Sequence, residues 1–315
     1  MSFFFAAKRK PGWMAVLTCG GMVTLAHVVR NGAGRPEVRQ LESFAIENDL
    51  VAALKRLRSA FRIESYACTT LIGADACNVT QMDAPPVPAD ERKEALRWAL
   101  KEMVDYPIDN ACVDVLDIPD AGLPTGRSPG VLVVSAAEQS VRSCAAPFEA
   151  AKIQLDAIDI QELAQRNVAA LFEDENRGLV FLRLDENGMM LTLSFRGELV
   201  AARRGEISTQ QLNSADAEQA ARARERLMLE FQRSLDNFDR QHSHIPVSKV
   251  VLACCPVVEH LADDLRDSTS VPVVEMDLSS VIDFPANPEL REGHCQVRNL
   301  LAIGAALRAP AGGAS

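Results

Sequence analysis

Residues 178–195, GLVFLRLDENGMMLTLSF, set two apolar runs on either side of Asp185-Glu186-Asn187-Gly188. An Asn-Gly step between apolar runs turns a chain back on itself, because both residues tolerate the positive φ that tight hairpins need. The stretch therefore reads as two antiparallel strands. Beyond Arg196-Gly197, residues 198–207 read as a third strand. A helical stretch then covers 215–240, with Leu227, Phe231, Leu235 and Phe238 recurring at three- and four-residue spacing. That stripe is a core face.

Working outward, the first half repeats the plan. Residues 14–18 and 22–29 flank a tight Cys19-Gly20-Gly21 link, and 38–46 form a third run after Gly32-Ala33-Gly34. A helix over 49–61 follows, with Leu50, Leu54, Leu57 and Phe61 on one face. Strands at 65–72 and 249–254 come after the two helices, the second apolar throughout, as a strand buried on both faces would be. The second half continues with a helix at 257–266, a strand at 271–276 and a closing helix at 297–308.

Between the repeats lies a different block. Ala84-Pro85-Pro86-Val87-Pro88 is stiff and extended. It opens a helix over 88–104, with Asp90 and Glu91 in the first turn and a Leu96, Leu100, Met103 stripe. Strands at 113–118 and 131–135, a helix at 136–151 and a strand at 153–158 complete it, with a flexible loop at 122–129. The whole is α/β. A duplicated three-strand-plus-helix unit interrupted once predicts an actin-like fold of two ribonuclease H-like lobes with an inserted α+β subdomain. The first lobe spans 1–157, with the insertion at about 79–157; the second spans 158–308; 309–315 is a disordered tail.

Of 315 residues, 48% are hydrophobic and 24% charged, and the formal net charge is −10. An acidic surface repels phosphate backbones, which argues against nucleic acid as the main partner. Eight cysteines are scattered through apolar runs without a C-x-x-C pair, so they read as small buried hydrophobes in a reducing compartment. No run reaches the length of a membrane helix, and the basic cluster Lys8-Arg9-Lys10 follows Phe3-Phe4-Phe5 rather than preceding it as in a secretory signal. A cytoplasmic protein is expected. Its head reads either as a frayed terminus or as a patch grazing an anionic inner-membrane surface, a peripheral contact at most.

Several motifs carry a family resemblance over nearly the whole chain. Pro85-Pro86-Val87-Pro88-Ala89-Asp90-Glu91, then Ala95-Leu96-Arg97-Trp98 and Asp105-Tyr106-Pro107-Ile108, resemble the inserted-subdomain signature of PilM-like type IV pilus assembly proteins. Residues 156–170 resemble that family's connection between lobes, and 230–236 its second-lobe helix. Ala302-Ile303-Gly304-Ala305-Ala306-Leu307-Arg308 resembles its closing helix. The head, residues 3–13, is similar to that of the MshI branch, which serves the mannose-sensitive haemagglutinin (MSHA) pilus. The resemblance implies an adaptor that docks the cytoplasmic tail of a single-span membrane protein of the PilN or MshJ kind and connects the platform to an assembly ATPase. It also implies an ATP site in the cleft between lobes. A GspL-like component of type II secretion is an alternative of the same fold.

Each nucleotide element departs from that pattern. Small residues in the two hairpin turns let backbone N–H groups approach phosphates, and acids beside them manage Mg²⁺. The first turn keeps Gly20 and Gly21 but has Thr18 where an acid is expected. The second keeps Asp185 and Gly188 at altered spacing, which an ordinary Asn-Gly turn also explains. The adenosine glycines are replaced by Cys254-Cys255-Pro256, which adds side chains and removes a donor. Gly20, Gly21, Asp185 and Gly188 are thus the candidate residues of a degenerate site. No cofactor is expected, tight Mg-ATP binding is disfavoured and hydrolysis more so; an ATP-driven switch is the alternative. The 122–128 stretch lacks the spacing and lysine of a phosphate loop. His242-Ser243-His244, Asp263-Asp264 and Asp114 with Asp117 read as surface polar groups.

Overall fold

The computed structural model of the chain describes residues 9–32, 34–47, 49–119 and 130–309. Residues 1–8 of the head, the loop expected at 122–129, and the tail beyond Ala309 lie outside the described residues.

Strands β1 (Trp13–Cys19), β2 (Met22–Val29) and β3 (Glu37–Ala45) form an antiparallel meander. Helix α1 (Leu50–Phe61) follows. Its first turn is closed by Asp49, whose carboxylate accepts from Val51 N at 3.3 Å and Ala52 N at 3.0 Å. β4 (Ala67–Leu71) returns parallel to β1. The chain then leaves this sheet through β5 (Asn78–Asp83), α2 (Ala89–Leu100), β6 (Ala111–Asp117) and β7 (Gly130–Ala137). It comes back by α3 (Glu138–Ala150) to β8 (Ala157–Asp159), parallel to β4, and leads out along α4 (Gln161–Ala169).

The second half runs β9 (Gly178–Asp185), β10 (Gly188–Phe195), β11 (Glu198–Gly205), α5 (Thr209–Leu212) and α6 (Ala217–His242). It ends with β12 (Val247–Cys254), α7 (Leu261–Ser268), β13 (Val273–Glu275) and α8 (Gly293–Ala306). The two large sheets have orders β3-β2-β1-β4-β8 and β11-β10-β9-β12-β13, the same order twice; a third, antiparallel sheet is β5-β7-β6. This is the actin-like plan of two ribonuclease H-like lobes with an insertion.

The lobes are joined by an exchange of helices. α4 follows the first sheet but packs on β9, β10 and β11, whereas α8 follows the second and packs on β1, β2 and β4. The two helices meet at Gly304, where an added Cβ would lie 2.0 Å from the Ala164 carbonyl oxygen. Asn167 Nδ2 donates to the Gly304 carbonyl at 2.8 Å beside this contact. Ala15 and Val28 of the first lobe, Phe181 and Val251 of the second, and Val168, Leu300 and Ile303 of the helices share one buried cluster. Each large aliphatic side chain taken out of water there contributes about 1.5–3 kcal/mol.

Three expectations need correction. The insertion's own sheet occupies 78–137, and α3 with β8 belongs to the first lobe: Phe148 of α3 is buried with Leu54 and Leu57, and β8 extends the first sheet. Helix α2 ends at Leu100, so Met103 is not part of its stripe and is 60% exposed; Lys101 lies over the exposed Trp98 ring at 5.8 Å. α7 starts at Leu261, because His260 takes a left-handed conformation, φ 60°, which an incoming helix does not pass through.

Candidate functional site

The two hairpin turns and the end of β12 are the three stretches that the sequence marks as candidate nucleotide elements. In the first turn Cys19 faces Met22, leaving Gly20 and Gly21 as the two central residues with φ +56° and +75°. Two consecutive positive φ values define a tight hairpin turn that glycine adopts without strain. A Cβ built on either would meet nothing within 4 Å, so the turn tip is open.

The second turn is differently occupied. Asp185 faces Gly188, with Glu186 and Asn187 between. The Asp185 carboxylate accepts the Asn187 N–H at 2.8 Å and pairs with Arg183 at 3.3 Å. Gly188, φ +132°, is demanded by packing: a Cβ there would stand 2.5 Å from the Gly205 carbonyl at the end of β11. Arg183 is 9% exposed, and its Nη2 donates to Gln161 Oε1 at 2.9 Å. Burial lowers its pKa, opposed by the charges of Asp185 and Glu162.

At the third element Cys254 pairs in register with Leu184, and the Cys255 N–H donates to the Leu184 carbonyl at 3.0 Å. Pro256 has no N–H. Burial pushes the Cys254 thiol up to about 11 and raises Cys255 as well. Of the sequence candidates, Gly20 and Gly21 therefore sit at a sterically open turn tip, the Gly21 carbonyl accepting Ile46 N–H at 2.7 Å, while Asp185 and Gly188 are engaged within the fold.

A buried ionic cluster escaped the sequence reading. Glu162, 1% exposed, takes Arg204 Nε at 2.6 Å. Arg204, from β11 of the second lobe, also donates to the carbonyls of Ala74 and Cys77 at the root of the insertion. Burial works against its charge, but the hydrogen bond and charge of Glu162 more than offset this and raise its pKa. Arg308 pairs with Asp159, and Arg30 donates to the Leu307 carbonyl at 2.7 and 3.0 Å. The partners lie 42 and 149 residues apart, so no local pattern announces them.

A groove of about 330 Å³ opens where the insertion meets α3. It is lined by Tyr106, Pro107 and Asn110 on one side and Ala137, Glu138, Gln139 and Arg142 on the other. Elsewhere Asp263 and Asp264 pair with Arg266 and Arg224, and Asp114 and Asp117 with Lys93 and Arg92. Among the described residues no group of three His, Cys, Asp or Glu side chains is placed to hold a metal ion, and no helix is long and apolar enough to cross a membrane.

No protein-family model matches the chain, and no curated protein matches its sequence. Solved structures do match. A chain of the PilM–PilN type IV pilus biogenesis complex is 18% identical and superposes with a TM-score of 0.76 over 94% of this chain and 98% of that one. The cytoplasmic domain of EpsL, an inner-membrane component of the type II secretion system of Vibrio cholerae, is 11% identical, with a TM-score of 0.49 over 95% and 96% of the two chains. A protein with actin-like ATPase fold from Bacteroides thetaiotaomicron is 10% identical, with a TM-score of 0.47 over 96% and 99%. The last two scores are too low to carry weight; the first establishes a shared fold.

Proposed function

We propose that the chain is a non-hydrolysing adaptor of a type IV pilus assembly platform, cytoplasmic, holding the N-terminal tail of a single-span membrane protein of the PilN or MshJ kind. The observation that carries this reading is the likeness, over almost the full length of both chains, to a structure of a PilM–PilN complex. The head at residues 3–13 favours the MSHA type of pilus. An assembly ATPase is a further partner of the same platform.

The groove at Tyr106, Asn110, Gln139 and Arg142 is the place for the tail. A cleft between a small sheet and a helix can take an extended peptide through backbone bonds and side-chain pockets. The net charge of −10 steers a tail carrying Lys or Arg toward it. A nucleotide does not fit the cleft well. Asp185, the acid of the second turn, is already bonded to Asn187 N–H and Arg183, and the Cys255 N–H is taken by Leu184.

The test is fluorescence anisotropy with synthetic N-terminal tails of the membrane protein encoded beside this one. The wild type binds, and Asn110→Arg with Gln139→Arg, which fill and charge the groove, weaken binding at least about tenfold, or about 1.4 kcal/mol. Absence of binding, or equal binding by the double variant, rejects the reading. The sterically open turn tip at Gly20 and Gly21 favours one alternative, an ATP-driven switch of the same platform.

A further inference from the structure

Two outward helix faces carry large apolar side chains that the fold leaves in water. The first is on α2. Leu96 and Leu100 turn into the core of the insertion, which leaves Trp98 on the outer face, 63% exposed. Tryptophan is mostly covered in folded proteins, and covered tryptophans carry much of the energy of protein contacts. Glu94 and Glu102 stand four residues to either side of it and are exposed. Lys101 lies over the ring, and Arg97 pairs back to Glu94 at 3.5 Å. The face is an aromatic centre flanked by carboxylates.

The second face is on α6. Leu227, Phe231 and Phe238 enter the core of the second lobe, so the opposite side bears Leu229, 44% exposed. Arg226 and Arg233 flank it at three and four residues, with Glu225 beside Arg226, and all three are exposed. Arg233 is held loosely, 3.8 Å from Glu230, an exposed pair of the kind that contributes little. This face is an aliphatic centre flanked by guanidinium groups.

The two faces complement each other in spacing as well as in charge. Laid antiparallel with Trp98 on Leu229, Glu102 meets Arg226, Glu94 meets Arg233 and Lys101 meets Glu225. Each charge lies three or four residues from its apolar centre, about 4.5–6 Å of helical rise. Lys101 keeps helical backbone angles, φ −54° and ψ −33°, so the alignment continues past the last residue of α2. Seven residues out, Glu91 meets Asp236, a like-charge pair at the rim. Within one molecule both faces are exposed and so do not meet; the occupant is another copy.

We propose that the Trp98 face of α2 in one copy of this chain docks on the Leu229 face of α6 in a second copy. The two surfaces differ, so each docked pair still offers one face of each kind, and association runs on beyond two copies or closes into a ring. One pair of helices is a small contact, which makes the association weak and reversible. The inference does not depend on the tail-binding reading.

The experiment is sedimentation equilibrium of the full chain. The mean mass of the wild type rises with concentration up to about 1 mM and falls back as salt is raised. Trp98→Ala and Arg226→Glu each weaken association at least about tenfold. Both side chains lie outside the cores, so both variants keep the wild-type unfolding midpoint in urea. Glu102→Arg added to Arg226→Glu restores association, because the pair is then reversed rather than broken. An equimolar mixture of Trp98→Ala and Arg226→Glu forms dimers and nothing larger, since the first keeps its α6 face and the second its α2 face. A wild type that stays monomeric at about 1 mM, unchanged association in either correctly folded variant, no rescue by Glu102→Arg, or a mixture that stays monomeric overturns the proposal.

Discussion

Gly304 shows what a single missing side chain does here. A methyl group at that position would sit 2.0 Å from the Ala164 carbonyl, on backbone that cannot rotate away. Gly304→Ala is expected to cost about 3 kcal/mol or more in urea unfolding, because the two connecting helices must part. The Glu162–Arg204 pair makes a different demand. Removing the arginine strands a carboxylate that is 1% exposed, so Arg204→Ala is expected to lose about 3 kcal/mol. Adding Glu162→Gln should restore part of it, which a double-mutant cycle would read directly. Burial also sorts the thiols. It pushes Cys68 up to about 12 and Cys254 up to about 11, while Cys19 and Cys112 are exposed. Timed alkylation at mildly alkaline pH should therefore modify Cys19 and Cys112 first and leave Cys68 until unfolding.

At the scale of the element, caps and pins decide stability. Asp216 closes α6 by accepting from Glu218 N at 3.0 Å and Gln219 N at 3.3 Å, so Asp216→Ala should lower stability by about 1 kcal/mol and Asp216→Asn by much less. On β2, His27 pins the incoming chain: its Nε2 lies 3.0 Å from the Pro11 carbonyl and its ring packs on Tyr66. Burial lowers the His27 pKa, opposed by the Pro11 contact and aided by Arg39 and Lys10, with Glu37 raising it. A depressed histidine favours the neutral folded form. Its contribution is whole above the ordinary value of about 6.5 and is lost as pH falls below it. Thermal scans from about pH 7 down to 5 should show a falling midpoint, with a shallower fall in His27→Gln. These elements were largely legible in the sequence, because hairpins and amphipathic helices declare themselves within a few residues. Of the stripe Leu227, Phe231, Leu235 and Phe238, Leu235 is half-buried against the core and the others are buried as the spacing predicts. Where α2 stops was not legible, since Met103 keeps the period although the helix has ended at Leu100. Nor was the allegiance of α3, which is settled by Phe148 entering the first lobe's core rather than by anything in its own period.

At the scale of the molecule, the duplicated sheet order could be anticipated, but the exchange of α4 and α8 between lobes could not. Nothing local in either helix says which sheet it will cover. The candidate nucleotide site was legible only as a set of positions. The sequence located both turns and Cys254-Cys255-Pro256, yet the occupation of the Cys255 N–H by Leu184 depends on two strands meeting, and the occupation of Asp185 by Arg183 and Asn187, though only two residues away in the chain, depends on side-chain placement that no pattern announces. Those occupations bear on the last prediction. Tight phosphate binding needs several free N–H groups converging with an acid free to manage Mg²⁺. Here the first turn is sterically open at Gly20 and Gly21, but the second turn's acid is spent within the fold and its glycine is fixed by Gly205. Calorimetry with Mg-ATP should find no site tighter than about 1 µM, that is, none more favourable than about −8 kcal/mol. If the clamp on Asp185 is the reason, Arg183→Met should release that carboxylate and strengthen any residual heat, whereas Gly20→Ala should abolish it. A sub-micromolar site in the unaltered chain would replace the passive adaptor with the ATP-driven switch.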